Sequence, residues 1–162
     1  SGSDLLVREV DRLREAVRVT KAERPFEIVA WVVLPDHMHA VWTLPEGDRD
    51  FSTRWAAIKA RFSRGIAEGK PRDSQIIRRA ALRNGLGAVV VRQLTVANVE
   101  HHIRDEADLD AHVRYCWLNP VKHGLVARPA EWPYSSIHRD IRAGSVEPAW
   151  AEVAANVEVG EP

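Results

Sequence analysis

The chain is short of several things, and each shortage closes a route. It has one cysteine, Cys116, so neither an internal disulfide nor a cysteine-built zinc site can form. No apolar run approaches the roughly 18 residues that span a bilayer, which removes a membrane role. No leader precedes the first charged helix, so a cytoplasmic protein is expected. Glycine-rich phosphate loops are missing, because Gly85-Leu86-Gly87 is too short to cradle a nucleotide. No serine-centred elbow is present either. There are only two tyrosines, Tyr115 and Tyr134, and no net charge. Composition alone therefore announces no polyanionic partner.

What is there suits one ordinary folded domain. Of 162 residues, 45% are hydrophobic and 28% charged, enough to build a core. Ser1-Gly2-Ser3 reads as a tag remnant, residues 4–156 as a single domain and 157–162 as a frayed tail. Charge is segregated. Between Arg54 and Arg83 stand nine basic residues against two acids, Glu68 and Asp73. The balancing acids lie at 46–50 and 100–110. A neutral protein with a basic segment can attract a phosphate backbone, through Arg54, Lys59, Arg61, Arg64, Arg78 and Arg79; the same residues also suit a solvated helix face.

Periodicity orders the elements. Leu6, Val10, Leu13 and Val17 recur at helical steps, predicting a helix over 4–22 capped by Asp4. Phe26 to Leu34 reads as a buried strand, Pro35-Asp36 as a tight turn, and His37 to Leu44 as a second strand antiparallel to the first. Trp55, Ile58, Phe62 and Ile66 predict a helix from about 52 to 67. A further helix is expected up to Asn84-Gly85, and a β-prone run over 88–99. Asp105-Glu106-Ala107-Asp108 opens another helix, expected to stop by Pro120. Beyond Gly124 the chain reads as irregular, with a short helix near Trp150–Ala155. Helices interleaved with a hairpin-like strand pair favour an α+β domain with a mostly antiparallel sheet.

Two segments can carry chemistry. In a strand, His37 and His39 share a face, and two imidazoles at that spacing can bind one divalent ion, although they equally suit two structural histidines. In Arg114-Tyr115-Cys116-Trp117-Leu118-Asn119-Pro120, Tyr115 and Asn119 stand four apart on one helix face. Tyr115 can attack a phosphodiester as a phenolate, with Asn119 offering a neutral oxygen ligand; a tyrosine packed in the core is the plainer reading. Tyr134 reads as the anchor of its own loop. Adjacent His101 and His102 cannot readily chelate together, His112 reads as a surface group, and Lys122 with His123 as a phosphate contact or a helix-end cation.

Taken in order, these segments resemble a known family. Trp31-Val32-Val33-Leu34-Pro35-Asp36-His37-Met38-His39-Ala40-Val41-Trp42 is similar to the His-hydrophobic-His strand of single-tyrosine transposases. His112-Val113-Arg114-Tyr115 through Asn119-Pro120-Val121-Lys122-His123-Gly124-Leu125-Val126 is similar to their tyrosine helix. Trp132-Pro133-Tyr134-Ser135-Ser136 and the Phe51–Lys59 stretch resemble one branch, the REP-associated tyrosine transposases. The resemblance covers about residues 6–140. It implies a ferredoxin-like α+β sandwich, and Mg2+ or Mn2+ held by His37, His39 and Asn119. It also implies a Tyr115 nucleophile that forms a 5′-phosphotyrosine bond with single-stranded or hairpin DNA. The basic residues named above, with Lys122, would grip the hairpin phosphates, and the protein would act as a monomer or homodimer. The alternatives are a module of the same fold that binds hairpins without cutting them, and a metal-dependent hydrolase of a small phosphoester. Two features depart from the family pattern. Only Ser1-Gly2-Ser3 stands where an opening strand is expected, and 86–99 lacks the aromatic, Arg-rich segment. The Val-rich run of 86–99 is expected to take the vacated strand position.

Overall fold

The structure, a computed structural model, describes residues 4–68 and 103–146. They form two compact units, one of residues 4–26, 35–37 and 44–68, the other of residues 27–34, 38–43 and 103–146. The sequence expectations for residues 73–102 and 150–155, including Arg78, Arg79 and the Val-rich run, lie outside the described residues.

In the first unit the expected opening helix is two: α1, Leu5–Arg8, and α2, Val10–Glu23. Glu9 between them has φ −105° and ψ 27°, off the helical values, yet the ladder runs through it, with Glu9 N–H donating to the Leu5 carbonyl at 3.0 Å and Leu13 N–H to the Glu9 carbonyl at 3.1 Å. Asp4 does not cap: its carboxylate reaches Arg8 at 3.1 Å instead of a backbone N–H. Arg24 ends α2 at φ −135° and ψ 86°, outside the helical region that Pro25 disfavours in the residue before it.

Helix α3, Phe51–Glu68, starts where expected because Asp50 accepts the Thr53 N–H at 3.0 Å, satisfying a first-turn donor. It packs on α2. Buried Leu13, Ala16, Val17 and Thr20 form one stripe along α2, and Arg54, Ile58, Phe62 and Ile66 recur at four-residue steps along α3. Arg12 crosses to the Gly65 carbonyl at 2.7 Å.

The second unit is built on β1, Glu27–Val33, and β2, Met38–Thr43, which pair antiparallel with Val32 opposite His39. Ile28 faces Trp42 and Ala30 faces Val41, so Val29 is an extra residue, a bulge. Arg139 occupies that irregularity, donating to the Ile28 carbonyl at 2.9 Å and the Val29 carbonyl at 2.7 Å. Helix α4, Glu106–Lys122, lies against both strands. Ala30, Val32, Cys116, Trp117 and Ile137 form the buried centre of this unit. The α+β class with an antiparallel sheet thus holds.

The end of α4 departs from expectation. The helix runs through Pro120 to Lys122. Proline withholds one donor, the one that would meet the Cys116 carbonyl, but the turn beyond it is still completed, His123 N–H donating to the Asn119 carbonyl at 2.9 Å. Gly124, at φ +67°, then closes the helix: its N–H donates to the Val121 carbonyl and the Leu125 N–H to the Pro120 carbonyl, both at 2.9 Å.

The stretch after Gly124 is also more regular than expected. A 3-10 turn, Pro129–Glu131, leads to Trp132–Ser136, and α5, Ile137–Arg142, follows. Trp132–Ser136 runs along the side of β1 away from β2. Val33 N–H donates to the Tyr134 carbonyl at 2.9 Å, Ser136 N–H to the Trp31 carbonyl at 2.8 Å, and Val32 forms an antiparallel bridge with Ser135.

Candidate active site

Strand β2 brings His39 onto helix α4. The Cys116 thiol donates to the His39 carbonyl at 3.5 Å, a contact that holds strand to helix one residue past Tyr115. Burial pushes that thiol's pKa far up, so Cys116 stays a neutral donor and supplies no thiolate nucleophile. The His39 and Tyr115 rings then meet edge to face, with centroids 5.6 Å apart and planes at 90°. The two sequence candidates, His39 and Tyr115, lie far apart in the chain and are neighbours in space within one unit.

Two more residues of α4 stand on the tyrosine's face. Asn119, one turn on, is 1% exposed. Its amide N–H donates to the Tyr115 carbonyl at 2.8 Å, which turns Oδ1 away from the helix ladder. That oxygen is buried and meets no hydrogen-bond donor among the described residues. A buried carbonyl oxygen without a donor carries a desolvation cost of about 1–3 kcal/mol, and a hard cation is one partner that removes it. Lys122, two turns on, places Nζ 3.5 Å from Tyr115 Oη and 4.9 Å from the ring centroid, over its face.

His37 stands elsewhere than expected. It belongs to the turn preceding β2, which begins at Met38, and lies in the first unit. Its Nδ1 is 2.7 Å from the Asp36 carboxylate. An ionised carboxylate only accepts, so Nδ1 carries the proton and, in the neutral ring, Nε2 carries the lone pair. That is the arrangement of a metal-ligating imidazole steadied by a carboxylate. Among the described residues no three His, Cys, Asp or Glu side chains gather as a metal cage. His112 is taken up by its own helix, with Nδ1 2.8 Å from the Asp108 carbonyl and 3.2 Å from the carboxylate.

The basic residues divide. Arg54 is 4% exposed, and its guanidinium donates to the carbonyls of Arg24, Pro25 and Asp50 and, at 2.6 Å, to the Asp48 carboxylate. It is placed as a buried brace and not as an open phosphate contact, with four of its five N–H groups bonded to these inward acceptors. Arg61 reaches back to Thr20 at 3.0 Å and pairs with Glu23. Lys59 is half-buried, while Arg64 is exposed. Of the described candidates, Arg64 and Lys122 present their charge most openly.

One group of residues escaped sequence reasoning. Ser136 Oγ accepts from the Trp31 N–H at 3.0 Å and the Trp117 indole N–H at 2.9 Å, and Trp132 Nε1 donates to the Val33 carbonyl at 2.8 Å. This set ties α4 and the 132–136 segment to β1, and so fixes the helix that carries Tyr115. The alternation of Trp132 and Tyr134 about an edge-compatible Pro133 was the available signal.

No protein-family model matches the chain. It is similar to a REP-associated tyrosine transposase of Escherichia coli (strain K12), 40% identical over 159 residues that cover 98% of this chain and 83% of that protein. A counterpart from Haemophilus influenzae (strain ATCC 51907 / DSM 11121 / KW20 / Rd) is 36% identical over 141 residues, 87% of this chain and 76% of its own. Among solved structures, a REP-associated tyrosine transposase bound to a REP hairpin superposes with a TM-score of 0.73 at 39% identity, over 99% of this chain and 84% of that one.

Proposed function

The chain belongs to the REP-associated tyrosine transposases, and from that footing we propose that it binds REP-type hairpins and cuts their single-stranded flank with Tyr115. The phenol oxygen attacks the scissile phosphorus. The bond from phosphorus to the 3′ oxygen breaks, that oxygen takes a proton and leaves as a 3′-hydroxyl, and the phenolic proton passes to solvent. The product is a 5′-phosphotyrosine diester, which a 3′-hydroxyl can attack in reverse to reseal DNA and restore the tyrosine.

The observation that carries this reading is the contact of Tyr115 with His39, beside a buried Oδ1 of Asn119 that meets no donor among the described residues. His39 nitrogen and Asn119 oxygen, with His37 from the preceding turn, are the donors that would hold Mg2+ or Mn2+; imidazole and amide oxygen suit either ion. Such an ion polarises phosphoryl oxygens when bound. The chain's own residues do the rest. Cys116 and Ser136 hold the tyrosine helix on its strand, and Asn119 pins the Tyr115 backbone. Tyr115 meets the His39 of its own chain, which supports a site assembled within one copy, whether the protein is a monomer or a homodimer.

The test is a denaturing gel of a labelled REP hairpin with single-stranded flanks, incubated with protein and Mn2+. A covalent band is expected, absent in Tyr115→Phe although the hairpin still binds. Hairpin binding by the wild type without any covalent band would overturn cleavage and leave a binding module. Cleavage that survives Tyr115→Phe would overturn the nucleophile.

A further inference from the structure

The passage of α4 through Pro120 has a consequence for chemistry. Had the helix stopped at the proline, Lys122 would project in an unrelated direction. Instead the last turn is completed, Gly124 closes it, and Lys122 sits seven residues after Tyr115, two turns along the same face. Its Nζ is 3.5 Å from the phenol oxygen.

We propose that Lys122 binds a non-bridging oxygen of the scissile phosphate, acting on the reacting group itself and not as a general grip on the backbone. This rests on the reading of Tyr115 as nucleophile. A phosphorus poised for attack stands about 3–3.5 Å from the attacking oxygen. A cation 3.5 Å from that same oxygen, on a flexible stem, can turn to within hydrogen-bond reach of one of the phosphorus's equatorial oxygens. Those oxygens gain negative charge as the phosphorus becomes five-coordinate, so the ammonium binds more tightly at the transition state than at the ground state. No proton moves to or from the lysine; its charge is constant through the step. In the covalent state the same ammonium pairs with the phosphotyrosine diester.

The neighbourhood leaves this task to Lys122. The Tyr115 ring meets His39 edge to face, and its hydroxyl meets the Lys122 ammonium. From β1 the charged residue is Glu27, at the far end of the strand from Val32 and His39. From the 3-10 turn it is Glu131, held by Arg128 and by the backbone of Ala127. The exposed ammonium needs no burial to be placed, because a π-face contact and the helix already orient its stem.

The experiment is single-turnover adduct formation on the labelled REP hairpin with Mn2+, at a series of protein concentrations. It compares wild type, Lys122→Met and Lys122→Arg, each first checked for an unchanged melting temperature. Lys122→Met is expected to lower the maximal rate by about 10²–10³-fold, as loss of one transition-state donor does, while the half-saturating concentration moves by less than about 3-fold. Lys122→Arg is expected to recover most of the rate. Replacing each non-bridging oxygen of the scissile phosphate by sulfur in turn should shrink the Lys122→Met penalty for one diastereomer only. A full maximal rate in Lys122→Met, or a loss confined to half-saturation, overturns the proposal and makes Lys122 an ordinary backbone contact. Absence of any Tyr115-dependent adduct in the wild type overturns the cleavage reading and this role together, and so is told apart from failure of the lysine alone.

Discussion

Replacing Arg54 by methionine separates a brace from a DNA contact. The residue is 4% exposed, and its guanidinium bonds the Arg24 carbonyl at 3.3 Å, the Pro25 carbonyl at 2.8 Å, the Asp50 carbonyl at 2.7 Å and the Asp48 carboxylate. These partners lie at the exit of α2, in the loop before α3 and at the α3 cap, so one side chain closes that end of the helix pair. Methionine keeps much of the stem's volume and removes every donor. Three carbonyl bonds to a charged donor are worth about 1.5 kcal/mol each at the low end. Arg24, Pro25 and Asp50 are themselves exposed, so their carbonyls recover part of this from water. A net loss of about 3 kcal/mol is expected, which for a chain of this size is a fall of about 10 °C in Tm. Urea unfolding followed by circular dichroism reads it as a lower midpoint at constant slope. Hairpin affinity of the folded variant should keep the wild-type salt dependence. Exposed Arg64 is the contrast: Arg64→Gln should leave stability within about 0.5 kcal/mol and lessen the salt slope by about 0.7–0.9, one phosphate contact. A loss below about 1 kcal/mol for Arg54→Met, joined to a reduced salt slope, would refute the brace and return Arg54 to the DNA.

Other outcomes follow from the same contacts. Ser136→Ala strands the Trp31 N–H and the Trp117 indole N–H, and should cost about 1–3 kcal/mol in urea unfolding, with adduct formation falling at temperatures where the fold still holds. Because Tyr115 and His39 of one chain are in contact, mixing Tyr115→Phe with His39→Ala protein should restore no covalent adduct; restored adduct would mean that copies exchange the tyrosine helix. The Asp48 carboxylate is held below its ordinary value of 3.8, chiefly by its bond to Arg54, and Asp50 likewise by Thr53. Their stabilisation is complete above that ordinary value and is lost as pH falls through the lowered folded values, so an acid titration of Tm should steepen below about pH 4, less so in Arg54→Met. Gly124→Ala meets nothing within 4 Å but takes φ +67°, so it should cost about 1 kcal/mol of backbone strain, measured as a lower urea midpoint.

Much was legible from residue order alone. The apolar steps of α2 and α3, the turn at Pro35-Asp36, the antiparallel strand pair and the acidic opening of α4 all follow from patterns of a few residues, and such patterns survive whatever surrounds them. That Asp105 caps α4, accepting the Asp108 N–H at 2.9 Å, only the structure shows. The candidates for chemistry were read from spacing, as a His-x-His inside a strand and a Tyr-x-x-x-Asn on a helix; the strand begins at Met38, one residue past His37. Less legible was anything that depends on how much context a local rule meets. Pro120 was expected to end a helix, but it withholds one donor only, and the bond from His123 N–H to the Asn119 carbonyl and the closure at Gly124 complete the turn beyond it. Trp132–Ser136 was expected to be irregular, because its partner is an edge a hundred residues earlier.

Local spacing, then, determined which side chains are candidates and which elements carry them, since helix and strand periods are properties of the backbone. Only the packed structure decided which candidates meet. It set Tyr115 against His39, carried Lys122 back over the phenol, and left Asn119 Oδ1 without a donor among the described residues. It also drew Arg54 inward, because four acceptors converge there from segments far apart in the chain, and a guanidinium answers to acceptors in space whatever its neighbours in sequence.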